Sequence, residues 1–190
     1  MTNAILTGRG RLTALRAAWL FDGAGSSMMR DPVVVIDGAA IVAVGSGVPA
    51  PAGADVVDLG RAALLPGLVD THVRLAFDAS TDPVGHLAGR DDSEAVEAMA
   101  RAGQAALRGG VTTVRDLGDR GYLSLGLRGR ADLPTIVAAG PPVTTADGHC
   151  HYLGGAAELT EAGVRAAVRE HVERGTDVIK IMASPGHDNG

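Results

Sequence analysis

The sequence predicts an α/β protein: a small all-β unit followed by strands that alternate with helices. Three observations carry this. β-branched runs joined through turn residues crowd residues 1–63, whereas residues 64–190 alternate short apolar runs with helix-length segments. The two longest helical segments each follow a capping residue and stop at glycine. Strands apolar on both faces and separated by helices imply a parallel sheet with right-handed crossovers.

Taken in order, Leu12–Leu20 is a broadly apolar run, and Asp22-Gly23 with Gly25-Ser26-Ser27 is turn chemistry. Pro32–Ile36 reaches Asp37-Gly38 and resumes at Ala40–Val44, a strong hairpin signal. Ala54–Leu59 reads as one more strand, closing the all-β unit of residues 1–63. Leu64–Val69 is the candidate first parallel strand of the second unit, residues 64–190. Asp91 with Glu94 offers a capping box, followed by Val96, Met99, Ala100, Gly103, Ala106 and Leu107 at helical spacing up to Gly109-Gly110. Val111–Val114 is a second strand ending at Arg115-Asp116, Gly121–Arg128 a weak helix, and Pro134–Ala139 a third strand. Thr160 caps a helix with Val164, Ala167, Val168, His171 and Val172 on one face and Gly175 beyond it. Asp177–Met182 is the expected fourth strand.

Composition excludes several classes of function. Aromatic residues are only 3% of the chain, so the core must be built from Ala, Val, Leu and Ile. The net charge is -5 with both signs interspersed, and the absence of a basic stripe argues against nucleic acid. Cys150 is the single cysteine and cannot form an internal disulfide, which fits a reducing compartment. No apolar run long enough to span a membrane is present, so a soluble, cytoplasmic protein is expected. There is no G-x-S-x-G elbow, no P-loop, and no G-x-G-x-x-G after a strand, which leaves a nucleotide-dependent oxidoreductase without support.

The most informative stretch is Leu64–Leu75, LLPGLVDTHVRL, an apolar run ending in Asp70, Thr71 and His72. Together with GVTTVRDLGD from Gly110 and DVIKIMAS from Asp177, it resembles the metal-dependent amidohydrolases over about Ala17 to Ser184, in their imidazolonepropionase-like and Xaa-Pro dipeptidase-like branch. The resemblance implies a small β-sandwich beside a TIM-type (β/α)8 barrel, with one or two divalent metals, zinc first, at the strands' carboxyl ends. In that pattern the first strand gives two histidines and the fourth a carboxylated lysine. The fifth and sixth give one histidine each, and the eighth an aspartate.

His72 matches the first histidine of the metal pair; the alternative is a satisfied barrel histidine. Arg74 stands where the second belongs, and a guanidinium has no lone pair to give a metal. It reads as an anion clamp facing substrate, as a cation standing in for a metal, or as the mark of a decayed second site. Lys180 sits in an apolar strand, where a buried amine tends to neutrality and can form a metal-bridging carbamate; otherwise it pairs with an acid such as Asp116. His149 and His151, flanking Cys150, resemble a segment that lies near substrate in this branch; the alternative is a merely structural loop cluster. Asp70 and Asp116 are strand-end carboxylates, Asp116 being a possible catalytic group; the alternative for either is an ion-pair partner, Asp116 having Arg115 beside it. His171 reads as a packing residue, while His86 and His187 fall in no constellation.

A complete barrel takes about 250 residues, and about half of that remains after Ala63. The expectation is therefore the first four or so βα units of an incomplete barrel, the alternative being a small open sheet complete in itself. The functional expectation is a hydrolase of C–N bonds in an amide, cyclic amide or dipeptide-like small molecule, by metal-activated water. The chain alone is expected to be inactive, and its expected partner is a chain supplying the C-terminal half-barrel, or a second copy of itself. The competing reading is a degenerate, non-catalytic binding module.

Overall fold

The computed structural model describes residues 11–183, and the chain divides into two compact units, Met1–Pro66 and Gly67–Gly190. The first unit contains β1 (Thr13–Arg16), β2 (Trp19–Leu20), β3 (Met29–Arg30), β4 (Pro32–Asp37), β5 (Ala40–Ser46), β6 (Asp55–Asp58) and β7 (Ala63–Leu64). They form a four-stranded sheet, β5-β4-β1-β6, and a three-stranded sheet, β3-β2-β7.

The hairpin read from Asp37-Gly38 joins β4 to β5 antiparallel, with Asp37 opposite Ala40. Gly38 leads its turn at φ +58, where a Cβ would be strained. The Leu12–Leu20 run holds two strands, β1 and β2. Ala18 and Trp19 both donate their amides to Ala62, while Asp31 donates to Ala18, so the chain leaves the first sheet for the second at this point. Because side chains alternate along a strand, β4 is buried on both faces. Val33 and Val35 close a small core with Ala14, while Val34 and Ile36 line an apolar groove of about 500 Å³ with Leu15, Leu20 and Leu64.

The second unit is a parallel sheet of β8 (Leu68–Val73), β9 (Val111–Asp116) and β10 (Thr135–Ala138) in the order β10-β9-β8. Helices α1 (Pro83–Ala88) and α2 (Asp92–Arg108) connect β8 to β9, and α3 (Glu161–Arg174) follows β10. The capping box of Asp91 and Glu94 is formed, and α2 buries Ala95, Met99, Ala100 and Gly103. The weak helix expected over Gly121–Arg128 is a 3-10 turn, Leu123–Leu127. A core of Leu75, Met99, Val114, Leu127, Ile136 and Leu153, among others, fills the space between sheet and helices.

Two strands differ from expectation. The first parallel strand begins at Leu68, not Leu64. Pro66 has no amide to contribute to a ladder, and Gly67 lies so close to Thr112 that a Cβ would fall 2.0 Å from its Oγ1. Leu64 consequently pairs in the first unit's sheet. Asp70 and His72 lie within β8 rather than beyond its end, and the strand is an edge, with Leu68 and Val69 exposed by 55% and 61%.

The fourth strand, expected over Asp177–Met182, is reduced to one parallel bridge, Val143 to Ile181. Asp177 donates its amide to Ala138, Val143 donates to Lys180, and Met182 donates to Val143. Between those points lie Pro141 and Pro142, which lack the N–H groups a continuous ladder needs.

Beyond the prolines, Thr144 donates to the Gly155 carbonyl. A Cβ on Gly155 would lie 2.0 Å from the Pro142 carbonyl oxygen, which is backbone and cannot rotate aside. Gly154, at φ +88, faces open space. Gly155→Ala is expected to cost about 2 kcal/mol through overpacking and Gly154→Ala about 1 through backbone strain alone. Thermal denaturation of the two variants checks the order.

Candidate functional site

All strands of a parallel sheet open their carboxyl ends on one edge, so β8 and β9 deliver Arg74 and Asp116 side by side, with Val73 and Asp116 in register. The loop after β10 brings Cys150 to the same place. Arg74 Nη2 donates to Cys150 Sγ at 3.3 Å, and the Tyr152 hydroxyl donates to the same sulfur at 3.7 Å. The guanidinium carbon lies 5.7 Å from the centroid of the Phe77 ring. Gly118 admits this packing: a Cβ there would lie 3.0 Å from Arg74 Nε and 3.1 Å from Pro142 Cγ. Arg74 Nε is itself buried with no hydrogen-bond partner.

Asp116 is 1% exposed. Burial first, and then the negative charge of Asp119, push its carboxyl up to about 8. The Gly118 amide donates to its Oδ1 at 3.2 Å, and its Oδ2 has no partner. Asp119 is also raised by burial, although the Ser124 amide donates to its Oδ2 at 2.6 Å. At neutral pH, Asp116 is therefore a carboxylic acid rather than an exposed strand-end anion.

The other predicted residues are dispersed. His72 is exposed on β8 and lines a groove of about 410 Å³ with Val73, Arg74, Phe77 and Ala79. Asp70 is exposed, and its Oδ1 accepts the His72 amide at 3.1 Å. Lys180 is half-buried and makes no ion pair among the described residues, so it is not paired with Asp116. His149 is half-buried, while His151 is exposed with Nδ1 at 3.0 Å from the Gly148 carbonyl. His171 is buried, its Nε2 lying 2.7 Å from the Pro141 carbonyl, as suits a packing residue. His187 lies outside the described residues. Among the described residues, no three His, Cys, Asp or Glu side chains converge where they could hold a metal ion.

The structure also assembles groups that sequence reading passes over. Asp119 and Ser124 join Asp116 in the buried polar cluster, and Phe77 faces Arg74. His86 does have a constellation, since Asp78 Oδ2 lies 2.7 Å from its Nδ1 and accepts from Arg90 at 2.9 Å. The Asp78 carboxyl is held below its usual range by hydrogen bonds from Ser80, His86 and Arg90.

A family model described as the amidohydrolase family matches residues 63–188, which takes in the whole parallel sheet and the Arg74–Asp116–Cys150 cluster. The chain belongs to the amidohydrolase family. No curated protein sequence matches this amidohydrolase chain. Among solved structures it is similar to a Xaa-Pro dipeptidase with bound methionine in the active site, at 27% identity and TM-score 0.75, covering 92% of this chain and 48% of that one. It is also similar to phenylurea hydrolase B, at 29% identity and TM-score 0.74, with coverage of 92% and 46%. A putative prolidase from Bifidobacterium longum matches at 27% identity and TM-score 0.68, with coverage of 93% and 42%. The amidohydrolase chain thus spans about half the length of these relatives, which place it in the Xaa-Pro dipeptidase-like branch. No helix of its described residues is long and apolar enough to cross a membrane.

Proposed function

We propose that this amidohydrolase chain forms the N-terminal part of a (β/α)8 barrel that hydrolyses a C–N bond in an amide, cyclic amide or dipeptide-like substrate. Catalysis in this reading requires the strands of a C-terminal half, which supply the later histidines and the aspartate. The observation that carries it is the parallel β8-β9-β10 sheet with its helical crossover, lying inside the matched segment 63–188. Solved relatives bearing the names Xaa-Pro dipeptidase and phenylurea hydrolase support the class of bond.

The family implies a divalent metal, zinc first, with His72 and a carboxylated Lys180 as its ligands on this chain. The described residues do not by themselves fit that group. Beside His72 stands Arg74, which has no lone pair to donate, and no three His, Cys, Asp or Glu side chains converge among the described residues. No hydrolytic step is therefore assigned to a metal held by this chain alone. Arg74 favours a second reading, a non-catalytic amidohydrolase-like module that binds its ligand without turning it over.

Amine release from Xaa-Pro dipeptides, N-acyl amino acids and a phenylurea decides between them. The chain is assayed alone and mixed with a separately produced C-terminal half of the Bifidobacterium longum prolidase, with zinc present. Negligible release alone and clear release in a stable mixture are expected. A stable mixture that releases no amine from any of them rejects the hydrolase reading in favour of the binding module.

A further inference from the structure

We propose that the groove at the carboxyl end of β8 is an anion site, holding a carboxylate-bearing small molecule on the guanidinium of Arg74. An arginine is charged at every accessible pH, and a partly buried charge calls for a counter-charge. Arg74 forms no ion pair among the described residues, and the acid whose carboxyl feels its charge, Asp116, is buried. Its one hydrogen bond goes to the sulfur of Cys150, a weak acceptor, and its Nε is buried without a partner. Nη1 makes no hydrogen bond to the described protein and, unlike Nε, is not among the fully buried atoms.

The nearby acids do not fill the gap. Asp116 is buried and held protonated through neutral pH, and Asp119 is buried beside Ser124. Asp78 is engaged by His86 and Arg90, and Asp70 accepts from its own strand. The groove wall of His72, Val73, Arg74, Phe77 and Ala79 contains no acid. Phe77 lies on one side of the guanidinium and Cys150 engages its Nη2, which together restrain it. That pre-orientation leaves the Nη1 side to donate, and a planar carboxylate matches a planar guanidinium. Binding needs no turnover, so the proposal stands apart from the hydrolase reading and is measured separately from it.

The test is arginine modification by phenylglyoxal, read at the Arg74 peptide by mass spectrometry on the full chain. N-acetylglycine, its uncharged amide and inorganic phosphate are compared as protectants. Near-saturating N-acetylglycine is expected to slow modification of Arg74 about tenfold, with the amide without effect and phosphate weaker. Equal protection by the amide, or none by the carboxylate, overturns the site; protection by phosphate as strong as by the carboxylate overturns the carboxylate assignment. Broadening of the N-acetylglycine proton signals supplies a second readout. It is expected to be lost in Arg74→Met and reduced in Arg74→Lys, and full broadening in Arg74→Met sinks the proposal. Protection of the unaltered chain is decisive even where a variant folds poorly.

Discussion

Asp116→Asn is expected to stabilise the second unit at pH 8 and to flatten the dependence of its stability on pH. The Asp116 carboxyl is raised from an ordinary 3.8 to about 8, by burial and then by Asp119. The folded state therefore holds a proton that the unfolded state gives up. Stability from this group is fully present below pH 3.8 and is lost as pH rises through about 8. Each tenfold gain in proton affinity is worth about 1.4 kcal/mol, so the loss across that window is on the order of 5 kcal/mol, part of it shared with the neighbouring Asp119. Asparagine keeps the shape and cannot ionise. Circular dichroism at pH 5, 7 and 9 checks this, since both long helices, α2 and α3, belong to the second unit. A wild-type melting temperature that rises from pH 5 to 9 would contradict it.

Leu153→Ala is expected to cost about 3 kcal/mol, within the range for truncating a fully buried leucine. Leu153 is 0% exposed and belongs to the main core. Its position makes the loss more than a packing defect. Leu153 Cδ1, Pro142 Cγ and Arg74 Nε all crowd Gly118, and a Cβ on that glycine would lie 3.2 Å from the leucine. Removing the leucine opens space next to the buried Nε and loosens the turn that carries Cys150 and Tyr152. Denaturant unfolding measures the energy. The phenylglyoxal reaction at Arg74 should quicken in the same variant, and an unchanged rate would show that Leu153 packs without restraining the guanidinium.

Much of the local architecture was legible because it rests on short-range signals. The Asp37-Gly38 hairpin, the capping box at Asp91 and Glu94, and the glycine ends of α2 and α3 depend on neighbours a few residues apart. Errors arose where a long-range competitor decided the outcome. The apolar string Leu64–Val69 carries no sign that Leu64 pairs with Leu20 in another sheet, although Pro66 marks the break. Asp177–Met182 has the composition of a strand, but its neighbour contains two prolines. Of the site, Arg74 was singled out through the resemblance, as the residue standing where the second histidine belongs. Its contact with Cys150, 76 residues away in sequence, and the burial of Asp116 beside Asp119 were not, because nothing local encodes either.

The two prolines have a further consequence for how the second unit breathes. Asp177 is tied to Ala138 twice, by its amide to the carbonyl and by its carboxylate to the Ala138 N–H at 2.8 Å, with Arg128 bracing the same carboxylate. Val143, Lys180 and Met182 form a separate tie beyond Pro141-Pro142. With no ladder bonds between them, the two ties need not open together. Native-state hydrogen exchange should find the Ala138 and Asp177 amides slow, and those of Val143 and Met182 faster, with a different response to denaturant. A stretch with the composition of one strand thus behaves as a firm anchor followed by a latch.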